Sequence, residues 1–183
     1  MESKAKIFGH AIHPILIVFP LGLLATAVIF DVIYLVTANR TWAFVAFWMI
    51  AAGLIGGLVA ALFGLIDYLN IPNGTRAKRI GMYHGLVNLG AVLLFALSFY
   101  LRWNASGDVA GELSTISPPT TALLCSFAGA ALALLGGWFG GELVERLGVG
   151  VHPDANLNAP NSLTHGKEHH EADVGHHNLH PTR

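Results

Sequence analysis

Residues 41–66 read TWAFVAFWMIAAGLIGGLVAALFGLI, an uncharged run from Thr41 to Ile66. About 20 mostly apolar residues in a helix cross the hydrocarbon of a bilayer. This run is long enough, and its alternatives are few. In lipid an open strand would strand its backbone N–H and C=O groups, so a helix is required. Everything else in the chain is arranged around that reading.

Three further stretches repeat it. They run from about Pro14 to Val36, Gly81 to Leu101 and Thr120 to Leu147, and the Thr41–Ile66 run extends to a span of about 42–69. Ala25-Thr26-Ala27 looks like a leader cleavage site, but apolarity continues to Val36, so the first stretch reads as a span. Pro14 suits a first helical turn, where its missing N–H costs nothing. Pro72-Asn73-Gly74 and Pro118-Pro119 punctuate the chain, and Gly148 is expected just past the last helix. The expected class is all-α: an integral membrane four-helix bundle, residues 14–150, between an N-terminal segment 1–13 and a tail 151–183. The tail is polar, has no apolar period and holds seven of the ten histidines, so it is expected to be disordered.

Composition agrees. Of 183 residues, 54% are apolar and 11% charged, and mean hydropathy is +0.57. A typical soluble domain is about 25% charged. Ten cations against eleven acids leave no broad basic surface for nucleic acid. Cys125, the single cysteine, excludes an intrachain disulfide and a Cys-based zinc site. With four spans, both termini share a side. That side takes Lys4, Lys6, Arg76, Lys78, Arg79 and Arg146, while Arg40 and Arg102 fall on the other. The positive-inside rule makes the first side cytoplasmic, in a bacterial inner membrane.

Glycines and alanines recur every fourth residue, at Gly129, Ala133, Gly137 and Gly141 and at Gly53, Gly57 and Ala61. Such ladders let helices approach closely in lipid. They fit packing within the bundle, a homo-oligomer seam, or room for a flat cofactor.

Ionisable groups inside spans are costly and mark function. At about 1.5 Å per residue, His13 lies at the start of the first span, Asp67 about 3 Å inside the second, His84 about 4–5 Å inside the third and Glu142 about 7–8 Å inside the fourth. Each helix thus brings one group to a single layer. Asn88, four residues after His84, shares its face. His13, Asp67, His84 and Glu142 could ligate a transition metal ion, and two imidazoles at one depth could be axial ligands of haem b. They could also relay protons, or be interfacial pairs, Asp67 with Arg76 or Arg79 and Glu142 with Arg146. Asp31 stands apart near the opposite face and is expected to pair with Arg40 or Arg102. His169-His170 and His176-His177 could collect divalent metal loosely.

Several of these pieces occur together: His13-Pro14, Val18-Phe19-Pro20, Asp31, Gly64-Leu65-Ile66-Asp67-Tyr68, His84-Gly85, Asn88, Arg102, Gly140-Gly141-Glu142-Leu143-Val144 and Gly148-Val149-Gly150-Val151. In combination they resemble a bacterial four-span membrane family known only as a domain of unknown function, over roughly residues 10–160. The family's His, Asp and Glu positions fall on His13, Asp31, Asp67, His84 and Glu142. Some relatives are joined to a Rieske iron–sulfur domain, which implies electron transfer with a respiratory or Rieske-type partner. Cys125 alone cannot supply that cluster, so a partner would bring it. The expected function is a haem- or redox-metal-binding membrane subunit, not an enzyme on its own. The rival readings are divalent-metal handling through the tail and an accessory or scaffold subunit.

Overall fold

The computed structural model of the protein describes residues 1–105, 117–159, 161 and 162. Among these residues four helical stretches are long and apolar enough to cross a membrane. The first is α1 (Ile12–Leu16) followed by α2 (Val18–Thr37); then come α3 (Arg40–Asn70), α4 (Arg76–Ala105) and α5 (Thr120–Gly141), the last closed by a π turn, Glu142–Arg146. Of the expected tail, residues 151–159, 161 and 162 are described, and the rest, with His165, His169, His170, His176, His177 and His180, lies outside the described residues.

The helices overrun their apolar runs where polar side chains can cap them. Asn39 Oδ1 accepts from Thr41 N–H at 3.0 Å at the start of α3, and Thr75 Oγ1 accepts from Lys78 N–H at 3.1 Å at the start of α4. These bonds satisfy donors that a helix N-terminus leaves free. So α4 begins at Arg76, a turn before the expected Gly81, and carries three cations in its first turn. Gly148, at φ +62°, takes the left-handed conformation expected past the last helix.

Before α1, β1 (Lys6–Ile7) and β2 (His10–Ala11) form a small antiparallel hairpin, with Lys6 opposite Ala11 and Ile7 opposite His10. Its turn puts Phe8 at φ 50° and Gly9 at φ 83°. Both central residues have positive φ, the pattern that matches hairpin twist.

Packing is organised in two helical hairpins. α2 lies mainly on α3 and α4 on α5; α3 against α4 and α2 against α5 join them. Small residues permit the approach. A Cβ on Gly53 would fall 2.7 Å from Leu24, and one on Gly129 3.0 Å from Phe95. A Cβ on Gly137 or Gly141 would meet nothing within 4 Å, so only part of the small-residue ladder is used inside the bundle. Leu24, Ala27, Ala46, Ile50 and Phe95 form the buried core, with Phe99 and Met49 against it. Large apolar side chains such as Val18, Phe19, Ile55, Leu62, Leu93 and Leu134 are exposed, as a lipid-facing surface requires.

The end of the bundle that holds the N-terminus is laced together. Gly150 N–H donates to Met1 O at 2.8 Å, and Ser3 Oγ donates to Asp67 Oδ1 at 2.6 Å. Residues 1–11 therefore fold back onto the ends of α3 and α5.

Candidate functional site

His13 and His84 are brought together. Their rings stand 6.4 Å apart between centroids and nearly perpendicular, at 88°. His13 comes from α1 of the first hairpin and His84 from α4 of the second, so the pair faces across the seam between hairpins. Both side chains remain half-buried.

Each ring is pinned by the helix behind it. His13 Nδ1 lies 2.8 Å from Ala60 O and His84 Nδ1 lies 2.9 Å from Gly136 O. A carbonyl oxygen only accepts, so both Nδ1 atoms carry hydrogen and donate. In the neutral imidazole this leaves the Nε2 lone pair for a proton or a metal. Glycines make the seats. A Cβ on Gly64 would fall 2.9 Å from the His13 ring, and one on Gly140 3.2 Å from the His84 ring. Asn88 adds a third support. Its Nδ2 donates to His84 O at 2.8 Å and lies 3.3 and 3.4 Å from the two ring nitrogens of His84.

The two carboxylates of the expected metal set are held elsewhere. Asp67 Oδ1 accepts from Ser3 Oγ at 2.6 Å and from Lys4 N–H at 3.2 Å. Glu142 Oε1 pairs with Arg76 Nη2 at 2.5 Å. Among the described residues no three or more His, Cys, Asp or Glu side chains are placed to hold a metal ion. Of the expected set, the structure thus brings His13 and His84 together, while Asp67 is bonded by the N-terminal segment and Glu142 by Arg76. Glu142 pairs with Arg76 on α4 rather than with Arg146, and Asp67 bonds to Ser3 and Lys4 rather than to Arg76 or Arg79.

A second polar group sits toward the other end. Asp31 and Arg102 are both fully buried, with Oδ2 and Nη2 2.6 Å apart. Arg102 Nε donates to Ser98 Oγ at 3.2 Å, and Nη2 also donates to Ser126 Oγ at 3.3 Å. Ser98 Oγ donates to Ala122 O at 2.7 Å, and Ser126 Oγ lies 2.8 Å from Ser98 Oγ. Asp31 Oδ1 has no hydrogen-bond partner among the described residues. Asp31 thus takes Arg102; Arg40 is exposed at the start of α3. Sequence reasoning had no means of finding Ser98 and Ser126, because serine in a span is common packing material.

A four-span helical membrane protein with one opposed imidazole pair and one buried ion pair is the class that this fold and site define. The chain belongs to the predicted membrane protein family DUF2231, whose family model matches residues 9–153. The match spans both hairpins and includes His13, Asp31, His84 and Arg102. No curated protein and no solved structure matches the chain.

Proposed function

We propose that this protein is a bacterial inner-membrane redox subunit that holds haem b between His13 and His84. The reading rests on the paired imidazoles, each with Nδ1 bonded to a backbone carbonyl, and with Asn88 Nδ2 3.4 Å from His84 Nε2. The donor set discriminates between metals. Structural zinc takes four ligands from the protein and catalytic zinc three, whereas His13 and His84 are two among the described residues. Haem needs few ligands from the protein, and His13 and His84 would be the two that hold it. Bound there, the iron would supply one-electron chemistry. His13 and His84 would bind it, Ala60 O and Gly136 O would fix the tautomer that presents Nε2, and Asn88 would hold the ring plane of His84.

The cation asymmetry supports an orientation with the N-terminal end in the cytoplasm, which places the site on that side. A Rieske-type or other respiratory partner in trans suits such a subunit, and Gly137 and Gly141, with open space beside them, leave a surface for a second copy.

The test is a visible spectrum of protein expressed in a haem-replete bacterium and purified in mild detergent. The expected result is a Soret band with sharp α and β bands after dithionite, lost in His13→Ala and in His84→Ala. Full haem content in either variant, or a featureless parent spectrum, overturns the proposal.

A further inference from the structure

We infer that the chain is two copies of one helical hairpin, fused in tandem about a pseudo-two-fold axis along the bundle, with the His13–His84 site on that axis. A shift of 71 positions carries the buried face of α2 (Pro20, Leu24, Ala27, Asp31) onto the buried residues Ala91, Phe95, Ser98 and Arg102 of α4. The same shift carries His13 onto His84. A shift of 76 carries Ala46, Phe47, Ile50, Gly53 and Ala60, all buried on α3, onto Ala122, Leu123, Ser126, Gly129 and Gly136, all buried on α5. The difference between the shifts is absorbed in the connection, which is longer between α4 and α5 than between α2 and α3.

The contacts repeat as well as the burial. His13 bonds Ala60 O as His84 bonds Gly136 O. Gly64 seats His13 as Gly140 seats His84, and Gly53 abuts Leu24 as Gly129 abuts Phe95. Each of these partners is related by the same two shifts. The copies also meet through equivalent positions: His13 faces His84 and Asp31 bonds Arg102. Self-complementary contact of like with like is the mark of a two-fold axis. Both hairpins start from the same end of the bundle, so the axis runs along the helices, as in parallel membrane repeats.

Two consequences follow for the sites. A ligand between the imidazoles would meet one histidine from each copy, with Asn88 beside His84 alone, because the related position in the first copy is Ile17. This consequence rests on the haem reading. At the other end, equivalence would place like residues together. Instead the copies have diverged to Asp31 and Arg102, and Ser98 and Ser126 stand where the first copy has Ala27 and Ile50. The ion pair makes the two halves complementary.

The deciding experiment moves the polar group to the related positions in one full-length chain: Asp31→Arg, Arg102→Asp, Ala27→Ser, Ser98→Ala, Ile50→Ser and Ser126→Ile. If the axis exists, the arginine introduced at position 31 finds the same surroundings that Arg102 has. The six-fold variant should purify as the parent does and unfold within about 5 °C of it, whereas Asp31→Arg alone should aggregate or lose far more. A six-fold variant no better than Asp31→Arg overturns the duplication. That readout needs no ligand. For the site, His13→Met and His84→Met should each lower retained haem, and full retention in either overturns the axial placement. A parent without haem overturns the function proposed above and the axial placement together, while the six-fold exchange still decides the duplication.

Discussion

Gly64 and Gly136 show how little room the histidine seats leave. A methyl group at Gly64 would stand 2.9 Å from the His13 ring, and one at Gly136 2.5 Å from Asn88 Oδ1. Neither neighbour can retreat without giving up a hydrogen bond. Overpacking of this kind costs about 1–3 kcal/mol, so Gly64→Ala and Gly136→Ala should each lower the thermal midpoint in detergent. Gly137→Ala, one position along with open space around it, should leave the midpoint unchanged. Equal midpoints for all three would refute the seats. The buried ion pair gives a sharper contrast. Removing one partner of such a pair costs about 3–5 kcal/mol, because the other charge is left buried alone, while replacing both with apolar residues is far cheaper. Asp31→Leu should therefore be much less stable than Asp31→Leu with Arg102→Met. A double variant that is the worse of the two would show that the pair stabilises on balance. These positions also show what a residue reveals on its own. Asp31 and Arg102 are legible because a charge in a span must find its opposite. Asp67 and Glu142 are legible as acids within apolar stretches but not in their partners, since spacing along a helix leaves helix rotation and loop contacts open.

At the scale of elements, the N-terminal segment is the part that periodicity could not find. Strands of two residues have no alternation to read, and Phe8 at φ 50° is not a residue that announces a positive-φ turn. What holds the segment is local. Asp67, at the end of α3, receives Ser3 Oγ and Lys4 N–H. Its removal should free residues 1–11 without unfolding the helices, whose stability comes from packing between α2 and α3 and between α4 and α5. Asp67→Ala should speed tryptic cleavage after Lys4 and Lys6 severalfold, with little change in thermal midpoint. Cleavage at the parent rate would mean that Gly150 N–H and Met1 O, with the hairpin, suffice to hold the segment. The helices themselves were legible because lipid leaves only one backbone solution to a long apolar run. Their ends were less so: Asn39 and Thr75 extend α3 and α4 through polar residues that hydropathy alone would discard.

For the whole molecule, the duplication explains why the site was only partly readable. The copies share identity at few packed positions, among them Ala46 with Ala122, Gly53 with Gly129 and Gly64 with Gly140, and a change of shift between helices hides even these. Once aligned, the two hairpins run in the same sense, so the distribution of charge must orient them together. The end with Lys4, Lys6, Arg76, Lys78, Arg79 and Arg146 outweighs the end with Arg40 and Arg102. A bias in cations near span ends sets membrane orientation, and Arg102 is spent on Asp31 besides. In a Cys125→Ser background, Asn39→Cys should react with a membrane-impermeant maleimide in spheroplasts. Asn73→Cys, in the turn between α3 and α4, should react only after lysis. The reverse pattern would move the imidazole pair to the outer face, and any electron partner would then have to approach from that side.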